Sequence, residues 1–455
     1  MRGISRRGAI RGGAVAGVAA ALSGGGHWAA RAAATGVNPS VPGEAAHARR
    51  LRKALDDAAA GIAGPDGVDS AGRIIVKAGY AGVPTYTLLD TLVIGGNTFL
   101  DATGARFVAR FGTVSRKYKL DETNDHSPTP VYQVDGQRMF TAPAVSGAKA
   151  ATMLINHVPA ATTRGYAAPG NIRIRGGEWD PISAYVWQDT GAARARADKA
   201  PPMNALTFIH TQDIEIEGVT VYNVKWWHAV ELNAVRRAVV QDSFFMGWVE
   251  NPTAGLWQGE AVQLDLPSAN NTWAGAADGT PTVDVRVLRN HVAASGSQPS
   301  WAKLIGSHTG GEKAGQVHAR VLIEGNVVDD AKWDAIGPMN TTALVIRGNT
   351  VNRGCGGIYV SPMTAKAPGQ PPVSVAANSL NGVEITSNTV TVARSAAGVT
   401  RHAVRINSVS EGGFDSKVTN TVVTGNTASG DSVNGKRYSY GPLVEFRPGV
   451  PPQND

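Results

Sequence analysis

The sequence predicts an all-β fold: a single-stranded right-handed parallel β-helix, a solenoid, with a short N-terminal capping helix. Three observations carry that prediction. Short β-branched runs bounded by Gly, Asn or Pro recur along most of the chain. One of these runs returns repeatedly with a Gly-Asn or related step at its end. The composition, 54 Gly in 455 residues and 17% charged residues, suits strands and tight turns and not a helical bundle or a disordered chain.

The first 34 residues read as a targeting segment. Ser5-Arg6-Arg7-Gly8-Ala9-Ile10 is a twin-arginine pattern, a mildly apolar stretch runs from Gly12 to Ser23, and Ala30, Ala32 and Ala34 offer small-residue cleavage sites. The expectation is export by the twin-arginine pathway and a secreted, extracellular protein. That segment also carries Arg2, Arg6, Arg7, Arg11 and Arg31 and no acid, so the formal charge of +7 falls to about +2 without it. The basic balance therefore does not point to nucleic acid, and no stretch after the leader is apolar enough to span a membrane. A single cysteine, Cys355, excludes an intramolecular disulfide.

Residues 35–43 read as a linker and 44–455 as one β-helix domain. Leu51, Leu55, Ala58 and Ile62 lie on one face of a helical pattern, a natural cap for the open end of a solenoid. Strand-like runs begin at Arg73. A first strand type then recurs as Ile172–Gly177, Ile214–Val219, Val285–His291, Val321–Val327, Leu344–Thr350 and Val383–Thr389. It places Asn290, Asn326, Asn349, Asn388 and Asn426 at steps of 36, 23, 39 and 38 residues. The step of 23 is a bare coil and the longer steps are coils carrying a loop. Stacked amides at one corner would bond coil to coil.

A second strand type lies between these copies, as His228–Asn233, Glu260–Asp265, Lys303–His308, Trp333–Gly337, Gly357–Ser361, His402–Asn407 and Leu443–Arg447. Period-2 alternation turns Val262 and Leu264 inward and Gln263 and Asp265 outward, and likewise turns Glu231, Tyr359 and Arg405 outward. With coils about 4.8 Å apart, residues distant in sequence become neighbours on this strip.

With its capping helix, its Ile75–Tyr80 and Leu92–Gly95 runs and its repeated Ile-x-Ile-x-Gly-Asn-x-Val coils, the chain resembles the pectate-lyase-like parallel β-helix superfamily over residues 44–430. That resemblance implies a carbohydrate-active protein of the polygalacturonase-like or polysaccharide-lyase branch. The polygalacturonase signature is missing: there is no Asn-Thr-Asp, Gly-His-Gly or Arg-Ile-Lys, and Arg405-Ile406-Asn407 is a partial echo of the last. No calcium cluster of the pectate-lyase kind is evident.

Glycoside hydrolysis needs two carboxyl groups, one protonated and one ionised. The candidates are Asp265 and Asp334, with Glu260 beside them and His308 as an orienting group or base. Gln263, Lys303, Tyr359, His402, Arg405 and Trp257 are candidate substrate contacts. Eight of the ten Trp fall between residues 185 and 335, which suggests flat platforms for sugar rings. The insertions Pro267–Pro281, Ala293–Trp301, Thr309–Val317 and Pro362–Ser379, each read as following the second strand type, would form one wall of a groove. Two other readings stand beside hydrolysis. One is a lyase using Lys303, His308, Tyr359 and Arg405 on a uronate polymer; the other is a non-catalytic carbohydrate-binding solenoid. No phosphate loop, dinucleotide fingerprint or His-Glu-x-x-His pattern is present, so neither cofactor nor metal is expected. The expected partner is a polysaccharide, and monomer and trimer stay open.

Overall fold

The computed structural model describes residues 38, 41, 43–79, 85–109, 132–134, 137–139, 151–182, 203–250, 256, 259–268, 274–307, 310–367, 373–393 and 402–430, and the short strands at 432–433, 436–437 and 444–446. Three ten-stranded sheets run along the chain, each built from parallel neighbours that are one coil apart in sequence. This is a right-handed parallel β-helix. A full coil is short. The strands Val283–Leu288, His291–Ala293 and Lys303–Ser307 belong to the first, second and third sheets, and His318–Glu324 then returns to the first.

The first strand type of the sequence forms the first sheet and the second type forms the third. The intervening second sheet starts just after the Asn corner, as in Val327–Asp329 and Thr350–Gly354. Sequence periodicity merges it with the preceding strand because only one or two corner residues separate them. Inward side chains alternate as expected: Val321 and Ile323 are buried, while Leu322 between them is half-buried.

The Asn corner is a ladder. Nδ2 of Asn290 donates to Oδ1 of Asn326 at 3.0 Å, Asn326 to Asn349 at 2.9 Å, Asn349 to Asn388 at 2.9 Å and Asn388 to Asn426 at 2.8 Å. Each amide also donates to an inner carbonyl, such as Asn349 to Ile323 O at 2.9 Å, so the buried corner backbone is satisfied. The preceding residue is left-handed, with φ of 65° at Gly325 and 61° at Gly348, which is why glycine recurs there.

The helix Ala46–Ala59 caps the first coils through Ala48, Leu51, Leu55 and Ala58. Ile62 falls beyond it and is 56% exposed, so the expected face is one turn shorter. Arg52, on the same buried face, forms an ion pair with Glu44 at 2.7 Å and donates to Thr91 O and Asp90 O. The segment expected to be a linker is partly structural. Asn38 is buried and pairs with the backbone of Val93 in both directions, at 2.9 and 2.8 Å, and Val41 joins the core. An amide side chain closes the edge of the third sheet there, a role invisible to patterning. The expected leader, residues 1–34, lies outside the described residues. Among the described residues no helix is long and apolar enough to cross a membrane.

Candidate active site

The outer face of the third sheet is where the sequence puts its candidate chemistry, and the register fixes its order. One row runs through Thr207, Glu231, Gln263, Gly306 and Gly337, then continues through Tyr359 and Arg405 on the next two coils. A second row, three residues earlier on each strand, holds Asn204, His228, Glu260, Lys303, Asp334, Gly356 and His402 on successive coils.

Strict alternation would send this second row inward, since Glu260 has the parity of Val262. Two consecutive core residues prevent that. Ala261 and Val262, Leu304 and Ile305, and Ala335 and Ile336 are all packed in the interior. The doubled inward step reverses the parity, and Glu260, Lys303 and Asp334 reach the outer face. Their partners there establish it: Asp334 is held by outward-facing Arg405, and Glu260 lies over outward-facing Gly306.

The rows form a ribbon of charged and amide groups, mostly below the surface. Glu231, Glu260, Gln263, Asp265, Lys303 and Asp334 are all less than 5% exposed. Lys303 Nζ donates to Glu260 Oε1 at 2.6 Å, and His228 Nδ1 stands 3.7 Å from Glu260 Oε2. Asn204 Nδ2 donates to Glu231 Oε2 at 2.5 Å and Asn233 Nδ2 to its Oε1 at 3.3 Å. Arg405 Nη2 donates to Asp334 Oδ2 at 2.9 Å, and its guanidinium carbon lies 4.0 Å from the centre of the Tyr359 ring. Asn407 Nδ2 donates to the Tyr359 hydroxyl at 2.9 Å. Tyr359, His402, Arg405 and Asn407 are half-buried, so the ribbon meets solvent at this end.

Two glycines make room for neighbouring side chains in the middle of the ribbon. A Cβ at Gly306 would collide with Glu260 Cγ and lie 2.7 Å from its Oε1, whereas one at Gly337 would meet Lys303 Cδ at 3.7 Å. The Glu260–Lys303 pair therefore lies across a floor without side chains.

The expected pair Asp265 and Asp334 is not brought together. The two stand two coils apart, roughly 10 Å along the axis, and at opposite ends of their strands. Asp265 turns to local donors, the Leu266 N–H at 2.8 Å and Gln263 Nε2 at 3.2 Å, while Asp334 leans two coils onward to Arg405. Glu260 shares the row of Asp334 instead. His308 and Trp257 lie outside the described residues, as do Trp187 and Trp273. Trp248 and Trp301 are interior, 0% exposed and stacked at 6.3 Å, so they are core and not platforms. The walls also differ from expectation. Pro267–Pro281, Thr309–Val317 and Pro362–Ser379 follow third-sheet strands, but Ala293–Trp301 follows the second sheet and flanks the opposite edge. Sequence reasoning passed over Asn204, His228 and Asn233. Their only signal was position on the repeated strand, because two amides and a lone imidazole make no pattern of acids or bases. Among the described residues no group of His, Cys, Asp and Glu is arranged to hold a metal ion.

No protein-family model matches the sequence and no curated protein matches it. Among solved structures, the chain is similar to the surface protein and adhesin PfbA of Streptococcus pneumoniae, at 14% identity over 88% of this chain and 84% of that one, with a TM-score of 0.59. It is also similar to a family 28 exopolygalacturonase of Yersinia enterocolitica, at 11% identity over 90% and 76%, TM-score 0.42. A third is the mannuronan C-5 epimerase AlgE4 A-module of Azotobacter vinelandii, at 14% over 88% and 87%, TM-score 0.38. At such identities the likeness is one of fold.

Proposed function

We propose that this pectate-lyase-like parallel β-helix acts on a polysaccharide laid along the outer face of its third sheet, and cleaves it by hydrolysis with Glu260 and Asp334 as the carboxyl pair. The observation that carries the reading is their shared row. They stand two coils apart, roughly 10 Å between strands, near the separation of about 6.5–9.5 Å that inverting glycosidases use to admit a water. Lys303 stands between them.

Glu260, held by the Lys303 ammonium at 2.6 Å, is the group assigned to activate water. Asp334 is then the proton donor to the leaving oxygen. Arg405 beside it orients the carboxyl through Oδ2 at 2.9 Å. Tyr359, Arg405, His402 and Asn407 at the half-exposed end receive the sugar. A second reading, elimination from a uronate unit, is favoured by the Arg405–Tyr359 stack, which could present a cation to a carboxylate.

A polysaccharide screen read by both reducing ends and ultraviolet absorbance tests the proposal. Hydrolysis predicts reducing ends without absorbance, lost in both Asp334→Asn and Glu260→Gln. Absorbance from a new double bond would move the assignment to elimination. Retention of polymer without either product would make the chain a binding protein, the kind of role PfbA's description as an adhesin suggests.

A further inference from the structure

The coil that carries Arg405, next to the last strand of the third sheet, Val444–Phe446, holds three buried polar atoms without a hydrogen-bond partner: Arg405 Nε, Asn407 Oδ1 and Ser408 Oγ. The remaining polar atoms of the Arg405 and Asn407 side chains that bond do so within the ribbon. Arg405 Nη2 donates to Asp334, and Asn407 Nδ2 donates to the Tyr359 hydroxyl. Backbone register holds the coil in place, with Asn407 N donating to Val360 O at 2.9 Å. Buried polar atoms are rarely left without partners, and a cluster on neighbouring residues calls for a bound group. The three residues are themselves half-buried, and Arg405 and Asn407 contact Tyr359, so these residues lie where the ribbon meets solvent.

The inventory of the three atoms limits what could satisfy them. Arg405 Nε is a donor, Asn407 Oδ1 is an acceptor, and Ser408 Oγ is both. We propose that they form a subsite that takes a neutral sugar unit by its hydroxyl groups, and not the carboxylate of a uronate. A carboxylate is acceptor-only, so it would answer Arg405 Nε and leave Asn407 Oδ1 unsatisfied. It would also bring a second negative charge toward Asp334, whose Oδ2 already occupies the neighbouring Nη2 of the same guanidinium. Adjacent sugar hydroxyls give and accept at once, and can serve all three atoms while the ring lies against Tyr359. The inference rests on the polysaccharide reading above and names the substrate class at one end of that site.

The test is calorimetric titration of the full chain with neutral polymers (a glucan, a xylan and a galactan) and with polygalacturonate and alginate, beside the cleavage screen. The expected result is binding of a neutral polymer. Asn407→Leu and Ser408→Ala should each weaken it by roughly tenfold, the loss of about one hydrogen bond, with the melting temperature unchanged in Ser408→Ala, which breaks no bond described within the fold. Asn407→Lys should shift preference toward the polyuronates. Wild-type preference for a polyuronate, or neutral binding that neither truncation changes, overturns the subsite and leaves the polysaccharide reading standing. Failure to bind or cleave any polymer of either class overturns both.

Discussion

The Lys303 ammonium meets the Glu260 carboxylate at 2.6 Å, with the two side chains only 5% and 0% exposed. A charge pair so removed from water draws its stability from completeness. Lys303→Met should destabilise the fold by about 3–5 kcal/mol, because the buried Glu260 carboxylate loses its ammonium partner at 2.6 Å. Adding Glu260→Gln to that variant should recover most of the loss. Chemical unfolding of the single and double variants decides it: equal losses would mean that the pair is not coupled.

The glycine floor gives a sharper contrast. Gly306→Ala introduces a Cβ that overlaps Glu260 Cγ, so Glu260 must leave its position over the floor. Gly337→Ala meets Lys303 Cδ at 3.7 Å and Tyr359 O at 3.9 Å, both ordinary contacts. The first substitution should abolish polymer cleavage while the solenoid still folds, as read by far-ultraviolet circular dichroism. The second should retain cleavage within a few fold. Equal activity in both would separate Glu260 from the reaction.

The solenoid and its Asn corner were legible because they repeat: Gly325-Asn326 and Gly348-Asn349 recur where the backbone needs a left-handed step and a stacked amide. The orientation of Glu260 and Asp334 was not legible by alternation. Ala261-Val262 and Ala335-Ile336 look like ordinary strand, yet both members of each pair turn inward and reverse the parity of what precedes them. The same limit explains Ala293–Trp301. An insertion shows its length in sequence, while its edge depends on recognising the three-residue strand His291–Ala293 as a separate sheet. Asn38 escaped notice because its partner, Val93, is 55 residues away.

Acid should loosen the wall formed by two hairpins beside the site. Lys366 binds the Glu411 carboxylate and holds it below its ordinary value of 4.5, against the opposing effect of burial, and Thr364 Oγ1 adds a hydrogen bond at 2.9 Å. A carboxylate depressed in the folded state stabilises above its unfolded value, and that contribution disappears as pH falls through the folded one. Protection against hydrogen exchange, measured relative to the intrinsic rate at each pH, should therefore fall in the strands Ala365–Lys366 and Val409–Glu411 below about pH 4.5. In Glu411→Gln that protection should already be low at pH 7 and change little with acid. A pH-independent wild type would exclude this ion pair as the clasp.

The Asn ladder should discriminate among substitutions by what each can donate and accept. Asn349 Oδ1 accepts from Asn326 N at 3.0 Å and from Asn326 Nδ2, while its own Nδ2 donates to Ile323 O and Asn388 Oδ1. Asn349→Ala strips partners from at least two buried groups, at about 1–3 kcal/mol each, so a loss of about 2–4 kcal/mol is expected in urea unfolding. Asn349→Asp keeps the acceptor but loses the donor and adds a buried charge, so it should be worse than Ala at pH 7 and improve as acid protonates it. Asn349→Ser should be mildest, because Ser243 already serves in this ladder: its Oγ accepts from Val219 N at 3.2 Å, and its N–H donates to Asn290 Oδ1 at 3.1 Å. An order of Asp better than Ser at neutral pH would show that the corner is held by packing and not by the continuous chain of amides.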